Sequence, residues 1–147
     1  MYNRILVPLD GSPLAEQALP HAIAQAVRFG AEMILLRAVE PFVHFTGMSL
    51  GDLDRIQQLI NTWAEQYLER VAADVRERGI RVEIKVIHGS APVSITQFVE
   101  SNRADLVVMA TGGRSGISRR MMGRVADHVV RGGTVPVMLV QTRSEAH

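Results

Sequence analysis

The sequence predicts an α/β fold: a single doubly wound domain with a five-stranded, mostly parallel sheet in the order 3-2-1-4-5 and helices on both faces. Three observations predict it. Five short apolar runs rich in β-branched residues alternate with helix-patterned segments, an order that implies parallel strands joined by right-handed crossovers. Four of the runs are apolar almost throughout, as strands covered on both faces are. The first and fourth runs end in loops of unusual composition, which makes them natural neighbours where the strand order reverses.

In chain order, RILVPLD (Arg4 to Asp10) is the first strand. Ser12 followed by Pro13 is an N-cap and first-turn pair, and Ala15, Ala18, Leu19, Ala22, Ile23, Ala26 and Val27 make one apolar face ended by Gly30. Pro20 falls inside this pattern, where the missing backbone donor predicts a kink in one continuous helix, at a cost of ~3 kcal/mol unless accommodated. EMILLRAVE (Glu32 to Glu40) is the second strand, and Pro41 to Gly51 the one long connection, read as a flap or contact surface. From Asp52 to Arg78, Leu53, Ile56, Ile60, Trp63, Tyr67, Val71 and Val75 recur at three- and four-residue steps. That spacing predicts the longest helix, laid along the sheet and stopped at Gly79. RVEIKVIHG (Arg81 to Gly89) alternates and suits an edge strand with one face partly wet. Pro92 opens a helix through Asn102, DLVVMAT (Asp105 to Thr111) is the fourth strand, and VPVMLVQT (Val135 to Thr142) the fifth. The last helix is expected from near Arg119 or Arg120 to Gly132 and Gly133. The first, second, fourth and fifth strands should carry the core, and a disordered tail is expected from about residue 143.

At 147 residues the chain matches one ordinary domain, expected to span residues 1–147, and can bury roughly 68 to 70% of its unfolded surface. A formal charge of +1 argues against the broad basic surface that nucleic-acid binding needs. The absence of cysteine removes disulfides and thiolate metal sites, which fits an intracellular setting. The opening apolar run is too short for a signal peptide and no segment approaches the ~20 apolar residues of a membrane span, so the expected location is the cytoplasm and no membrane partner is expected.

The segment VVMATGGRSGISRRMMGRVADHVV (Val107 to Val130) concentrates glycine and arginine at the mouth of the fourth strand. A glycine loop entering a helix suits a phosphate, because a helix N-terminus presents unpaired N–H groups and the positive end of a dipole. The same glycines could merely permit a positive-φ turn, with the arginines as solvated surface charge. Asp10, at the end of the first strand, would face the same crevice and suits a base or ribose rather than hydrolysis. No G-x-S-x-G elbow, H-E-x-x-H helix or Walker A motif occurs, and the five histidines lack ligand-like spacing. A phosphoacceptor receiver domain shares the βα order, yet Asp10 has no acidic neighbour and no lysine precedes the final strand.

Over nearly its whole length the chain resembles the universal stress proteins. ILVPLDGSPLAEQAL resembles their opening strand and helix, VIHGSAP their third strand and following turn, and VVMATGGRSGISRRMMGRVADHVVRGGTVPVMLV their closing half. Nucleotide-binding members carry there a glycine, two residues, a glycine, nine residues, then a glycine followed by serine or threonine. Here Ala110 takes the first glycine position, Gly113 the second and Gly123 the third, while Arg124 replaces the hydroxyl residue. The resemblance implies a nucleotide site in which Asp10 contacts the adenine or ribose side, with Pro8, Leu9 and Ala38 near the base. It implies also that Met109 and Ala110 flank the site and that Gly113, Gly123, Arg124 and Val125 line the phosphates. Arg124 could bind phosphate in a forked geometry or fill the pocket.

The expected function is an ATP-binding regulatory protein, with Mg2+ accompanying the nucleotide, acting as a ligand-dependent dimer on a protein partner in stress response. A dimeric scaffold that binds no ATP, because of Arg124, is the alternative, and slow ATP hydrolysis without an evident water-positioning residue is a weaker one. The apolar fifth strand would be a sheet edge with open hydrogen bonds, which predicts a two-fold homodimer through Val137, Met138, Leu139 and Val140. The resemblance implies the same arrangement.

Overall fold

The computed structural model describes residues 1–41, 47–112 and 123–142. Five strands, β1 (Arg4–Pro8), β2 (Glu32–Val39), β3 (Val82–His88), β4 (Leu106–Ala110) and β5 (Val137–Val140), form one sheet in the order β3-β2-β1-β4-β5. Every neighbouring pair is parallel, with Ile5 beside Met33 on one side and Leu106 on the other. Because successive side chains on a strand point to opposite faces, each central strand feeds two cores. Ile5, Val7, Met33, Leu35 and Val108 face a layer made by α1 (Pro13–Glu16), α2 (Leu19–Phe29) and α3 (Leu50–Arg76). Leu6, Ile34, Leu36, Val107 and Met109 face α4 (Ala91–Asn102) and α5 (Arg124–Gly132). Complete burial of such an aliphatic side chain contributes roughly 1.5–3 kcal/mol, so the three central strands, fully buried along their middles, carry most of the core.

Four details depart from the sequence pattern. The opening helical stretch is two helices, α1 and α2, rather than one kinked helix. Pro20 cannot donate to Glu16, and its ring would strike that carbonyl, so the chain makes i→i+3 turns at Gln17 and Ala18 and restarts. Pro20 then sits in the first turn of α2, where no donor is required. Second, Trp63 is 61% exposed instead of lying in the apolar stripe of α3; the buried stripe is Ala64, Tyr67, Leu68, Ala72 and Val75. A sheet receives a helix most closely through small residues, so Ala64 and Ala72 set the contact and the stripe is rotated by one position. Third, β5 is half-buried throughout rather than a core strand, because β4 is its neighbour on one side and nothing described pairs on the other. Fourth, α5 starts at Arg124, where the extended Gly123 serves as its N-cap, while the expected start near Arg119 or Arg120 lies outside the described residues. The expected wet edge is β3, whose Glu83 and Lys85 are exposed. α3 begins inside the expected long connection, with Ser49 Oγ accepting from the Asp52 amide at 3.1 Å. Residues 42–46 of that connection and the tail from 143 lie outside the described residues. Among the described residues no helix is long and apolar enough to cross a membrane.

Candidate functional site

Strand order reverses between β1 and β4: from β1 the chain proceeds outward to β2 and β3, then returns to place β4 and β5 on the other side. The crossovers leave on opposite faces there, and a crevice opens beyond the carboxyl ends of the two strands. A cavity of about 450 Å³ occupies it, within the roughly 300–1,000 Å³ of small-molecule sites. Its lining contains Pro8, Leu9, Asp10, Ala38, Met109, Ala110, Gly123, Arg124 and Val125. Nine of the ten residues singled out from sequence are thereby brought together; Gly113, like Arg114 and Arg119, lies outside the described residues.

The β1 wall is fixed by side chains. Asp10 Oδ1 accepts from the Ser12 amide at 2.9 Å and the Ser12 hydroxyl at 2.5 Å. Ser12 Oγ in turn accepts from the Ala15 amide at 3.2 Å, capping α1. Gly11, at φ +88°, supplies the left-handed residue that this tight turn requires. Behind it, away from the cavity, the Tyr67 hydroxyl donates to Glu16 Oε2 at 2.7 Å, and the Arg37 guanidinium lies 5.4 Å from the Tyr67 ring centre. Burial, together with the bond to Glu16 and the negative charges of Glu16 and Asp10, pushes the Tyr67 phenol well above its usual pKa, so it remains a donor.

The β4 wall is fixed by backbone. The Gly123 amide donates to the Thr111 carbonyl at 2.6 Å. A Cβ at Gly123 would stand 2.7 Å from that same oxygen, so glycine is required by close approach and not by φ, which is −62°. The third family glycine is thus kept for a steric reason. Ala110 is not at positive φ and is buried within β4, so a methyl fits where relatives carry the first glycine. Among the described residues no side chain caps α5, whose first residues Arg124 and Val125 line the cavity. Arg124 is exposed and is one of the residues that line the cavity.

Sequence reasoning missed Ala91 and Ile95 of α4, together with Ala15, Leu36, Thr111 and Ala126. The signal for α4 was present in its position: a helix between β3 and β4 that covers the α5 face must start at the same crevice. α4 also begins without a side-chain cap among the described residues. The resulting cleft is apolar at its base, carries one carboxylate from β1, and receives the starts of two helices.

A doubly wound α/β domain with such a crevice at its switch point is a ligand-binding fold. The family model of the universal stress protein family matches residues 1–141, and the chain belongs to that family. Universal stress protein MJ0531 of Methanocaldococcus jannaschii is 32% identical over 143 residues, covering 96% of this chain and 83% of the relative. Among solved structures, universal stress protein UspA from Lactobacillus plantarum superposes with a TM-score of 0.84 at 21% identity, covering 95% of this chain and 97% of that one. A universal stress protein of Arabidopsis thaliana solved with AMP bound gives 0.67 at 18% identity, covering 97% and 94%. Two further structures of this fold are complexes, one with cAMP and one from Archaeoglobus fulgidus with dAMP, at TM-scores of 0.68 and 0.65.

Proposed function

We propose that this chain binds an adenine nucleotide in the switch-point cavity and acts as a nucleotide-dependent regulatory protein. The observation that carries the reading is the composition of the two walls: a carboxylate held at the end of β1 opposite a helix start that, among the described residues, no side chain caps. The apolar floor, from Leu36, Ala38, Met109 and Ile95, suits a purine ring. Asp10 accepts hydrogen bonds from the adenine or ribose, and the amides at the start of α5 receive phosphate. Arg124, exposed beside those amides, pairs with phosphate instead of plugging the pocket. Relatives of the same fold solved with AMP, cAMP and dAMP support the ligand class.

ATP is the ligand favoured here, since an exposed guanidinium at the rim suits phosphates that extend outward. Among the described residues no group of three or more His, Asp or Glu side chains could hold a metal ion. In this reading magnesium accompanies the nucleotide, held by its phosphates and water. Nucleotide released from freshly purified protein and identified by mass spectrometry tests the reading. An adenine nucleotide is expected, and protein that is free of ligand and fails to take up added ATP or AMP contradicts it.

The same reading includes a homodimer through β5. Val137, Met138, Leu139 and Val140 form an entirely apolar, half-exposed edge strand, and open hydrogen bonds on such an edge invite pairing with a second copy. Sedimentation should show a dimer that Met138→Lys or Leu139→Lys dissociates. A parent protein that remains monomeric at all concentrations contradicts it.

A further inference from the structure

The turn that presents Asp10 is too short to hold itself. α1 is a four-residue helix, and a single turn fixes several dihedrals for very few hydrogen bonds, so it does not persist without outside contacts. One contact is internal: Ser12 bridges Asp10 and the Ala15 amide. The others come from two distant elements on the face of the sheet opposite the cavity. Tyr67, from the middle of α3, donates its hydroxyl to Glu16 at 2.7 Å. Arg37, from β2, lays its guanidinium over the Tyr67 ring and against the backbone of Gly11, where an added Cβ would meet its Nη1 at 3.0 Å. None of Glu16, Arg37 and Tyr67 lines the cavity.

We infer that Tyr67, Glu16 and Arg37 form a brace behind the cavity that sets the position of Asp10, and that Tyr67 and Glu16 are positioning residues for the nucleotide proposed above. The inference rests on that nucleotide reading for its ligand, though the brace itself is a property of the ligand-free protein. The chemistry of the contact is specific. Two guanidinium groups approach the Tyr67 ring, Arg37 at 5.4 Å and Arg70 at 6.0 Å from its centre, while its hydroxyl reaches a carboxylate. Loss of the hydroxyl leaves the ring packing in place and removes the tie to α1. An amide oxygen at position 16 accepts the same hydrogen bond, whereas a methyl does not.

The experiment compares parent, Tyr67→Phe, Glu16→Ala and Glu16→Gln by two readouts. The first is amide exchange in ligand-free protein at Ala15, whose N–H caps α1 on Ser12. The second is affinity for AMP and ATP by calorimetry. Tyr67→Phe and Glu16→Ala should each speed Ala15 exchange and weaken nucleotide binding about two- to tenfold, the worth of one net hydrogen bond. Glu16→Gln should restore both to near-parent values, an outcome that loss of general stability does not produce. Unchanged Ala15 exchange in Tyr67→Phe and Glu16→Ala overturns the brace. Faster exchange with parent-like affinity overturns the positioning role. If Tyr67→Phe does not fold, the two Glu16 variants decide alone. A parent that binds no adenine nucleotide overturns the functional reading, while its Ala15 exchange series still decides whether the brace exists.

Discussion

The two walls of the cavity are built by opposite means. At the end of β1 the chain uses side chains: Asp10, Ser12, Glu16, Tyr67 and Arg37 hold a short turn from several directions. At the end of β4 it uses backbone: Gly123 presses its amide onto the Thr111 carbonyl, and a Cβ there would stand 2.7 Å from that oxygen. A side-chain wall can tolerate conservative replacement, because an accepting oxygen can be supplied by more than one residue type. A backbone wall cannot, because no side chain is small enough to replace an absent one. Position 123 has no room for a side chain, whereas position 124, exposed at the start of α5, carries arginine.

The largest effect should follow from breaking the backbone wall. Gly123→Val places a branched side chain against the Thr111 carbonyl, so β4 and α5 must separate. Overpacking of this kind costs about 1–3 kcal/mol. Thermal unfolding should shift downward yet remain cooperative, and calorimetry should detect no nucleotide binding. A variant that binds as the parent does would mean that this approach has no part in the site.

A smaller loss is expected at Arg124. Arg124→Ser restores the hydroxyl found in relatives but removes a charged partner at the rim, and should weaken ATP by about threefold to tenfold, in the range of one charge-assisted hydrogen bond. AMP should be affected less if the guanidinium serves the outer phosphates. A gain in ATP affinity would show that arginine obstructs the pocket.

The smallest effect concerns pH and the side-chain wall. The Tyr67 phenol is raised above its ordinary value of 10.0 in the folded state. A raised folded pKa contributes stability that is fully present below the unfolded value and is lost as pH rises through the folded one. Stability should therefore decline more steeply above pH 10 in the parent than in Tyr67→Phe, as read by denaturant titrations at stepped pH. Parallel profiles would show that Tyr67 ionises as easily folded as unfolded.

Much of this architecture was legible in the sequence, for reasons that differ by element. The strands were readable because runs such as Ile5 to Val7 and Leu106 to Ala110 are buried on both faces, and burial on both faces leaves no alternation to misread. The position of the cavity was readable because the switch point follows from strand order, and nine of the named residues line it. The division between α1 and α2 was missed because whether a proline bends or ends a helix depends on what the next turn can pack against. Trp63 was misplaced because large residues were weighted over alanines, whereas Ala64 and Ala72 make the close contact. The brace was invisible because Arg37, Tyr67 and Glu16 lie on three elements far apart in sequence. Nothing in local spacing announces such a contact.

The proposed adenine-nucleotide site lies in the cavity between the β1 and β4 turns, with Asp10 as its polar anchor. Calorimetric titration of ATP with magnesium, and of AMP, into ligand-free parent and into Asp10→Ala tests it most directly. Saturable binding of one nucleotide per chain is expected in the parent, with a loss of about tenfold or more in Asp10→Ala, consistent with removal of a charged hydrogen-bond acceptor. Absence of binding in the parent, or equal affinity in a folded Asp10→Ala variant, would contradict it.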